Sequence, residues 1–138
     1  MKPKSLLLTL STAGLLAAGC SHPGGAYDAV NGAKYNNEDR ERIVLLDSRV
    51  QTSVTWSDLQ EKRLDDGRLE VFANLRNREE RRIQVQMNCV FKDAQGFSTG
   101  DETPFRNLIL SENGQETVHF VSMNNLAKKY TIRVREAH

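Results

Sequence analysis

Cys20 is the residue whose surroundings most clearly specify a chemistry. Lys2 and Lys4 precede an apolar run from Leu6 to Leu16, and Ala18-Gly19 set small side chains directly before the thiol. A positive start, a short apolar stretch and small residues at the cut make an export signal removed by a peptidase. The run is too short to span a bilayer as a helix, which takes about 20 apolar residues. Cleavage after Gly19 leaves Cys20 as the new N-terminus, with its thiol the acceptor of a lipid. The chain is therefore expected to divide into a signal peptide at 1–19, a lipidated cysteine and flexible tether at 20–42, and a folded domain at 43–138.

The pattern Leu15-Leu16-Ala17-Ala18-Gly19-Cys20 is a bacterial lipobox. Bacterial lipoproteins carry a diacylglyceryl thioether and an N-acyl group on this cysteine. One acyl chain gives only marginal binding, and each further buried methylene adds about 0.8 kcal/mol, so this lipid anchors the chain firmly without a transmembrane helix. Ser21, in the position read by envelope sorting, directs the expectation to the outer membrane, facing the periplasm.

Other reactive groups are less suggestive. Cys89 is the second of two cysteines, so with Cys20 acylated no intrachain disulfide is available and the domain must rest on its apolar core. Cys89 alternates in register with Met87 and Phe91, where a free thiol serves as a small hydrophobe; a catalytic thiol needs a base or a helix N-terminus beside it. His22, His119 and His138 are scattered, and no Cys/His spacing fits zinc. Asp65-Asp66 and Asp101-Glu102 lack the alternating oxygens of a calcium loop and fit turns. No nucleophile elbow, phosphate loop or dinucleotide fingerprint occurs, so neither a cofactor nor a metal is expected, and the domain is not expected to be an enzyme. The net charge moves from +1 to −1 as Lys2 and Lys4 leave with the signal, which gives no basic footprint for nucleic acid.

Residues that could bear a partner are drawn from breaks in an otherwise regular pattern. From Ile43 onward the apolar period is two. Ile83, Val85, Met87, Cys89 and Phe91 share one face; Leu69, Val71, Ala73 and Leu75 share another; Val118 with Phe120, and Tyr130 with Ile132 and Val134, repeat the alternation. This predicts half-buried antiparallel sheet. Asp66-Gly67, Asp93-Ala94-Gln95-Gly96 and Asn113-Gly114 supply turns, the first and last as hairpins. About seven strands are expected, near 43–50, 55–64, 68–76, 82–92, 97–100, 105–110 continuing through 115–122, and 129–136, with a short helical turn at 123–129. Such spacing argues a β-sandwich. Phe72 then falls on a polar face, with Val90 and Val121 also off the inward register. Arg76 and Arg78 belong to a dense charged run, and Arg133 and Arg135 share the outward face of the last strand. These five, Phe72, Arg76, Arg78, Arg133 and Arg135, are the candidate partner contacts. Trp56 is expected to fill the core. Ser21 to Arg42, rich in Gly and Asn, reads as a coil, although Tyr27 and Tyr35 could pack on the domain.

The order of a lipobox, a polar tether, Asp65-Asp66-Gly67-Arg68-Leu69-Glu70-Val71, Asn74-Leu75-Arg76-Asn77, Val90-Phe91-Lys92-Asp93-Ala94-Gln95-Gly96 and Ala127-Lys128-Lys129-Tyr130-Thr131-Ile132-Arg133-Val134 resembles the YcfL-type family of periplasmic lipoproteins. The resemblance covers roughly 43–136 and implies an immunoglobulin-like sandwich and an envelope address. It carries no catalytic residues onto this chain. The combined expectation is an all-β, antiparallel immunoglobulin-like sandwich, lipid-anchored and non-enzymatic, that binds another envelope component, most naturally a protein. Accessory roles in peptidoglycan synthesis or secretion, and the binding of a small lipid or glycan, are the alternatives. The oligomeric state is not fixed by the sequence.

Overall fold

The structure is a computed structural model that describes residues 41–138. The expected signal peptide (1–19), the expected lipidation site Cys20 and the expected tether as far as Arg40 lie outside the described residues. The elements run β1 (Ile43–Leu45), α1 (Ser48–Ser53), β2 (Val54–Arg63), β3 (Leu69–Asn77), β4 (Ile83–Lys92), β5 (Ser98–Glu102), β6 (Arg106–Leu110), β7 (Gln115–Val121) and β8 (Lys129–Glu136). They form two packed sheets. One has the order β1-β8-β4, with β5 and β6 sharing the far edge of β4; the other is β2-β3-β7.

Alternation builds the core as expected. Leu69, Val71, Ala73 and Leu75 from β3 meet Val85, Met87, Cys89 and Phe91 from β4, and all are buried with Val118, Phe120, Tyr130, Ile132 and Val134. Each inward residue is followed by one that points away from the opposing sheet, so a single period decides which side chains leave water. The sandwich is closed at one side by Arg106. Its guanidinium lies 4.5 Å from the Phe120 ring centroid, and its Nη2 donates to the His119 carbonyl at 2.6 Å.

Five expectations need correction. The 43–50 segment is a strand only over Ile43–Leu45, because Asp47 then caps a six-residue helix. Its Oδ1 accepts from Val50 N at 2.9 Å and its Oδ2 from Glu136 N at 2.6 Å, which satisfies an orphan helix donor and pins the helix to β8. Strand β1 pairs with β8 in parallel, so the larger sheet is mixed at this one pair and antiparallel elsewhere. Residues 105–110 and 115–122 belong to different sheets, which brings the strands to eight; Asn113-Gly114, with Asn113 at φ 51°, is therefore a turn between sheets and not a hairpin. The 123–129 connection is not helical. Its shape comes from Met123 N donating to Asp101 Oδ2, Leu126 N to Asn124 Oδ1 and Ser122 Oγ to the Asn124 carbonyl. Trp56 is 42% exposed, because β2 is an edge strand and the core does not reach across its inward side there.

One interruption shows how the fold manages a broken ladder. Between β5 and β6, Thr103 stands beside Cys89: its backbone N–H donates to the Cys89 carbonyl at 2.9 Å, and its Oγ1 accepts from Cys89 N at 2.8 Å. Pro104 follows, without an N–H to offer the sheet. The threonine side chain replaces the missing backbone acceptor, so β4 stays satisfied through the gap.

Candidate interaction surfaces

The candidate contacts do not converge. Phe72 and Arg76 point outward from β3 on the three-stranded sheet, Arg133 and Arg135 point outward from β8 on the opposite side, and Arg78 lies on the β3–β4 connection.

On the three-stranded sheet, Phe72 is opposite His119 on β7 and Gln60 on β2. The Phe72 and His119 rings stack with centroids 4.5 Å apart and planes 11° from parallel. His119 Nε2 lies 2.8 Å from Glu70 Oε1. A histidine and a carboxylate at this distance could share a proton, but the pair sits on an open sheet face and not in a pocket. A hydroxyl on the same face, Thr117 Oγ1, donates to Asn74 Oδ1 at 2.7 Å. Among the described residues none is seen to hold a nucleophile against the imidazole. Beside it, Asp58 adopts φ 52° at a register shift in β2 and accepts from Asn74 Nδ2 and Ser57 Oγ, bending the free edge of that strand. A charged, kinked edge resists pairing with other strands.

Arg78 has a structural task. Its backbone N–H donates to the Ser53 carbonyl, and its guanidinium donates to the Gln51 and Thr52 carbonyls at the end of α1. A cation there satisfies open carbonyls and complements the negative end of the helix. The same end of the domain carries a shallow cleft of about 340 Å³, lined by Arg49, Ser53, Arg81, Arg82, Gln84 and Glu136 among others. Arg49 is paired with Glu136, and Arg81 with Glu79, whose carboxylate also accepts from Ser53 Oγ. Those hydrogen bonds hold the Glu79 carboxyl below the usual carboxylate range, Ser53 contributing most and Arg81 next. The cleft's charges are largely spent on each other.

Arg133 and Arg135 are also engaged. Arg133 Nη1 is 3.1 Å from Glu102 Oε1; Arg135 donates to Gln86 Oε1 at 3.0 Å and lies 3.8 Å from the Phe105 ring centroid. Glu102 also accepts from Asn88 Nδ2 at 2.7 Å, so these side chains form a polar layer over one part of the five-stranded sheet.

The opposite end of the domain presents a surface that alternation does not reveal. Phe97 is 72% exposed, Met123 82% and Leu126 57%. Phe97 closes the β4–β5 turn, where Asp93 Oδ1 accepts from Gln95 N and Phe97 N. Met123 and Leu126 belong to the β7–β8 connection, which is tied to β5 through Asp101 and to β4 through Lys128 N and the Lys92 carbonyl. The same connection meets the β2–β3 turn, where Gly67 at φ 84° has only 3.0 Å between a would-be Cβ and Asn125 Cβ. The available signal was that large apolar residues stood inside turns, Gly96-Phe97 and Met123-Asn124-Asn125-Leu126, where a folded chain has no core to receive them.

Cys89 is fully buried. Burial pushes its thiol far above the usual range and the Asp101 carboxylate adds to this, against a smaller opposing effect from Arg106. Among the described residues no three His, Cys, Asp or Glu side chains gather as metal ligands, and no helix is long and apolar enough to cross a membrane.

A family model described as a protein of unknown function, DUF1425, matches residues 41–136. Two solved structures share the fold. A Campylobacter jejuni protein, cj0090, superimposes with a TM-score of 0.59 at 15% identity, over 70% of this chain and 98% of its own. A DUF1425 family member from Shewanella sp. pv-4 gives 0.55 at 23% identity, over 62% and 79%. No curated protein matches the chain.

Proposed function

Since the chain belongs to the DUF1425 family, whose function is unknown, its role is argued from its surfaces, and we propose a non-enzymatic, lipid-anchored module that captures another protein of the bacterial envelope. The YcfL-type resemblance and the lipobox ending at Cys20 support the envelope address, with the outer membrane, periplasmic side, as the expected location. The observation that carries the binding role is the exposure of Phe97, Met123 and Leu126 at one end of the sandwich. Large apolar side chains in fixed turns lose little conformational freedom on docking, and residues of this kind dominate binding energy when a partner covers them. An anchor adds to this by confining both partners to one membrane surface, which raises their effective concentration.

The stacked Phe72–His119 pair favours a second reading, in which the partner lies on the three-stranded sheet with Arg76 at its rim. Photo-crosslinking in the native envelope separates the two. Probes at Phe97 and Met123 are expected to give one prominent protein adduct, while a probe at Phe72 gives the weaker yield of a neighbouring surface. An adduct from Phe72 alone moves the interface to the sheet face; no adduct from any of the three sinks the adaptor role.

A further inference from the structure

The end of the domain that exposes Phe97, Met123 and Leu126 is also the end at which the chain enters the fold. Strand β1 runs parallel to β8, with Ile43 opposite Ile132. Just before it, the Arg42 carbonyl accepts from Ile132 N at 2.8 Å, and Arg42 Nη1 lies 3.9 Å from Glu61 Oε2 on β2. Strand β8 starts at Lys129, directly after the connection that carries Met123 and Leu126. Lys129 is opposite Lys92, the last residue of β4 before the turn to Phe97. The run of β8 from Lys129 to Glu136 places the cleft beside Arg49 and Glu136 about 23 Å away, at the far end. Arg63 fastens two loops of the apolar end together, its Nη1 donating to the Gly67 carbonyl at 3.2 Å and the Ala127 carbonyl at 2.8 Å. A partner therefore meets apolar side chains on loops that are already fixed, which lowers the ordering cost of docking. The charges around them are of both signs. Lys128 and Lys129 are exposed, and so is Asp65 on the β2–β3 turn. Among the described residues none of these three has an ion-pair partner, whereas Asp66 is paired with Arg68 at 2.6 Å.

On the lipid-anchored adaptor reading, on which this rests, we infer that the partner captured here is a protein set in the same membrane as the lipid on Cys20. It offers an apolar hollow to Phe97, Met123 and Leu126, carboxylates to Lys128 and Lys129, and a cation to Asp65. Two observations select this occupant. The first is the point of entry: an anchor at Cys20 pulls on the domain at Arg42, so the apolar loops, and not the far cleft, are drawn toward the membrane. The second is the mosaic of charge. An anionic lipid surface attracts the two lysines and repels Asp65, while a protein surface can match both signs.

The test is photo-crosslinking in the native envelope from a probe at Phe97, in the wild-type chain and two variants. Deletion of residues 24–38 leaves Cys20 and Glu41 at most about 22 Å apart, and it alters no residue of the domain. With the partner at the membrane surface, the Phe97 adduct is expected to stay within about twofold of wild type. Loss of the adduct in that chain, at an unchanged melting temperature, overturns the inference, because the partner then stands away from the membrane. Lys128→Glu combined with Lys129→Glu is expected to cut the adduct at least about fivefold, also with melting unchanged. An undiminished yield overturns the inference even where the deletion lowers the melting temperature. A wild-type probe that labels lipid alone overturns it in favour of the bilayer. No adduct of any kind from Phe97 or Met123 in the wild-type chain is the failure of the adaptor reading itself, and the inference falls with it. A protein adduct that disappears on shortening, or ignores the charge reversal, sinks the membrane-set partner alone and leaves the adaptor standing.

Discussion

Cys89 offers the most direct trial of the reading that the domain does no nucleophilic chemistry. Its thiol is fully buried between Met87 and Phe91 along β4, and its own backbone N–H and carbonyl are both taken by Thr103. Reaction with a disulfide reagent needs a thiolate in contact with solvent, so it must wait for the sandwich to open. A domain of this size has a stability on the order of 5–10 kcal/mol. At 1.4 kcal/mol per decade, labelling through global opening is slowed by roughly three to seven orders of magnitude. Substitution energies follow from the same surroundings. Cys89→Ala removes one sulfur from a packed site and should destabilise by about 1–2 kcal/mol through lost burial and a small cavity. Cys89→Ser should cost about 1–3 kcal/mol, since Thr103 already occupies the adjacent backbone groups and the hydroxyl is left without a partner. The assay is release of a chromogenic thiolate from the reagent, in buffer and in urea, with urea melts of each variant. With Cys20 lipidated as proposed, protein from the envelope should titrate one thiol in urea and essentially none in buffer. Stoichiometric labelling of Cys89 in buffer within minutes would show an activated, accessible thiol, and both the burial argument and the non-enzymatic reading would fall.

Three further outcomes are expected. Asn77→Ala should lower stability by about 3 kcal/mol, at roughly 1 kcal/mol per lost bond. The buried Asn77 amide donates to the Arg81 and Ser111 carbonyls and accepts from Glu79 N, joining the β3–β4 and β6–β7 connections; a urea midpoint within error of wild type would refute this role. Glu79→Gln should destabilise at neutral pH, and the gap should close on acidification. The folded carboxyl is held below its ordinary 4.5, so its contribution is full above that value and disappears as pH falls through the lowered one. Parallel melting-temperature curves for the two proteins from pH 7 to acid would refute it. Cys20→Ser should shift the protein from the membrane fraction to the soluble periplasmic fraction with the fold intact by circular dichroism; retention in membranes would exclude the lipid as the anchor.

The inward face was legible because it depends on local order alone. Leu69, Val71, Ala73 and Leu75, or Val85, Met87, Cys89 and Phe91, need only a period of two to be assigned to the core, and all eight are buried. Connectivity was less legible for a definite reason. Asn113-Gly114 has the residues of a hairpin turn, yet whether the chain turns within a sheet or passes between sheets depends on which strands already occupy the edges of β4 and β3. Asp47 shows the same limit at shorter range. A six-residue helix is too short to establish a 3.6-residue period, so only the cap residue marked it, and the bond from Glu136 that fixes it comes from the far end of the chain.

The surroundings of each surface side chain follow from how much of its fate is decided by neighbours distant in sequence. Phe72 was singled out as an aromatic on a polar face, and it does point outward, but its ring is spent on His119 from another strand. Arg78 belongs to a mixed charged run that suggests a solvated loop, and a helix at 48–53 turns it into a cap. Val90, outward by register, is nonetheless buried, so an outward apolar residue marks either a docking face or a covered seam, and register cannot distinguish them. Phe97 and Met123 escape that ambiguity. They sit in the β4–β5 and β7–β8 connections, and both stay exposed with every described element in place. For a domain of this kind, the apolar residues in tight turns are therefore better guides to an external partner than the apolar residues on sheet faces.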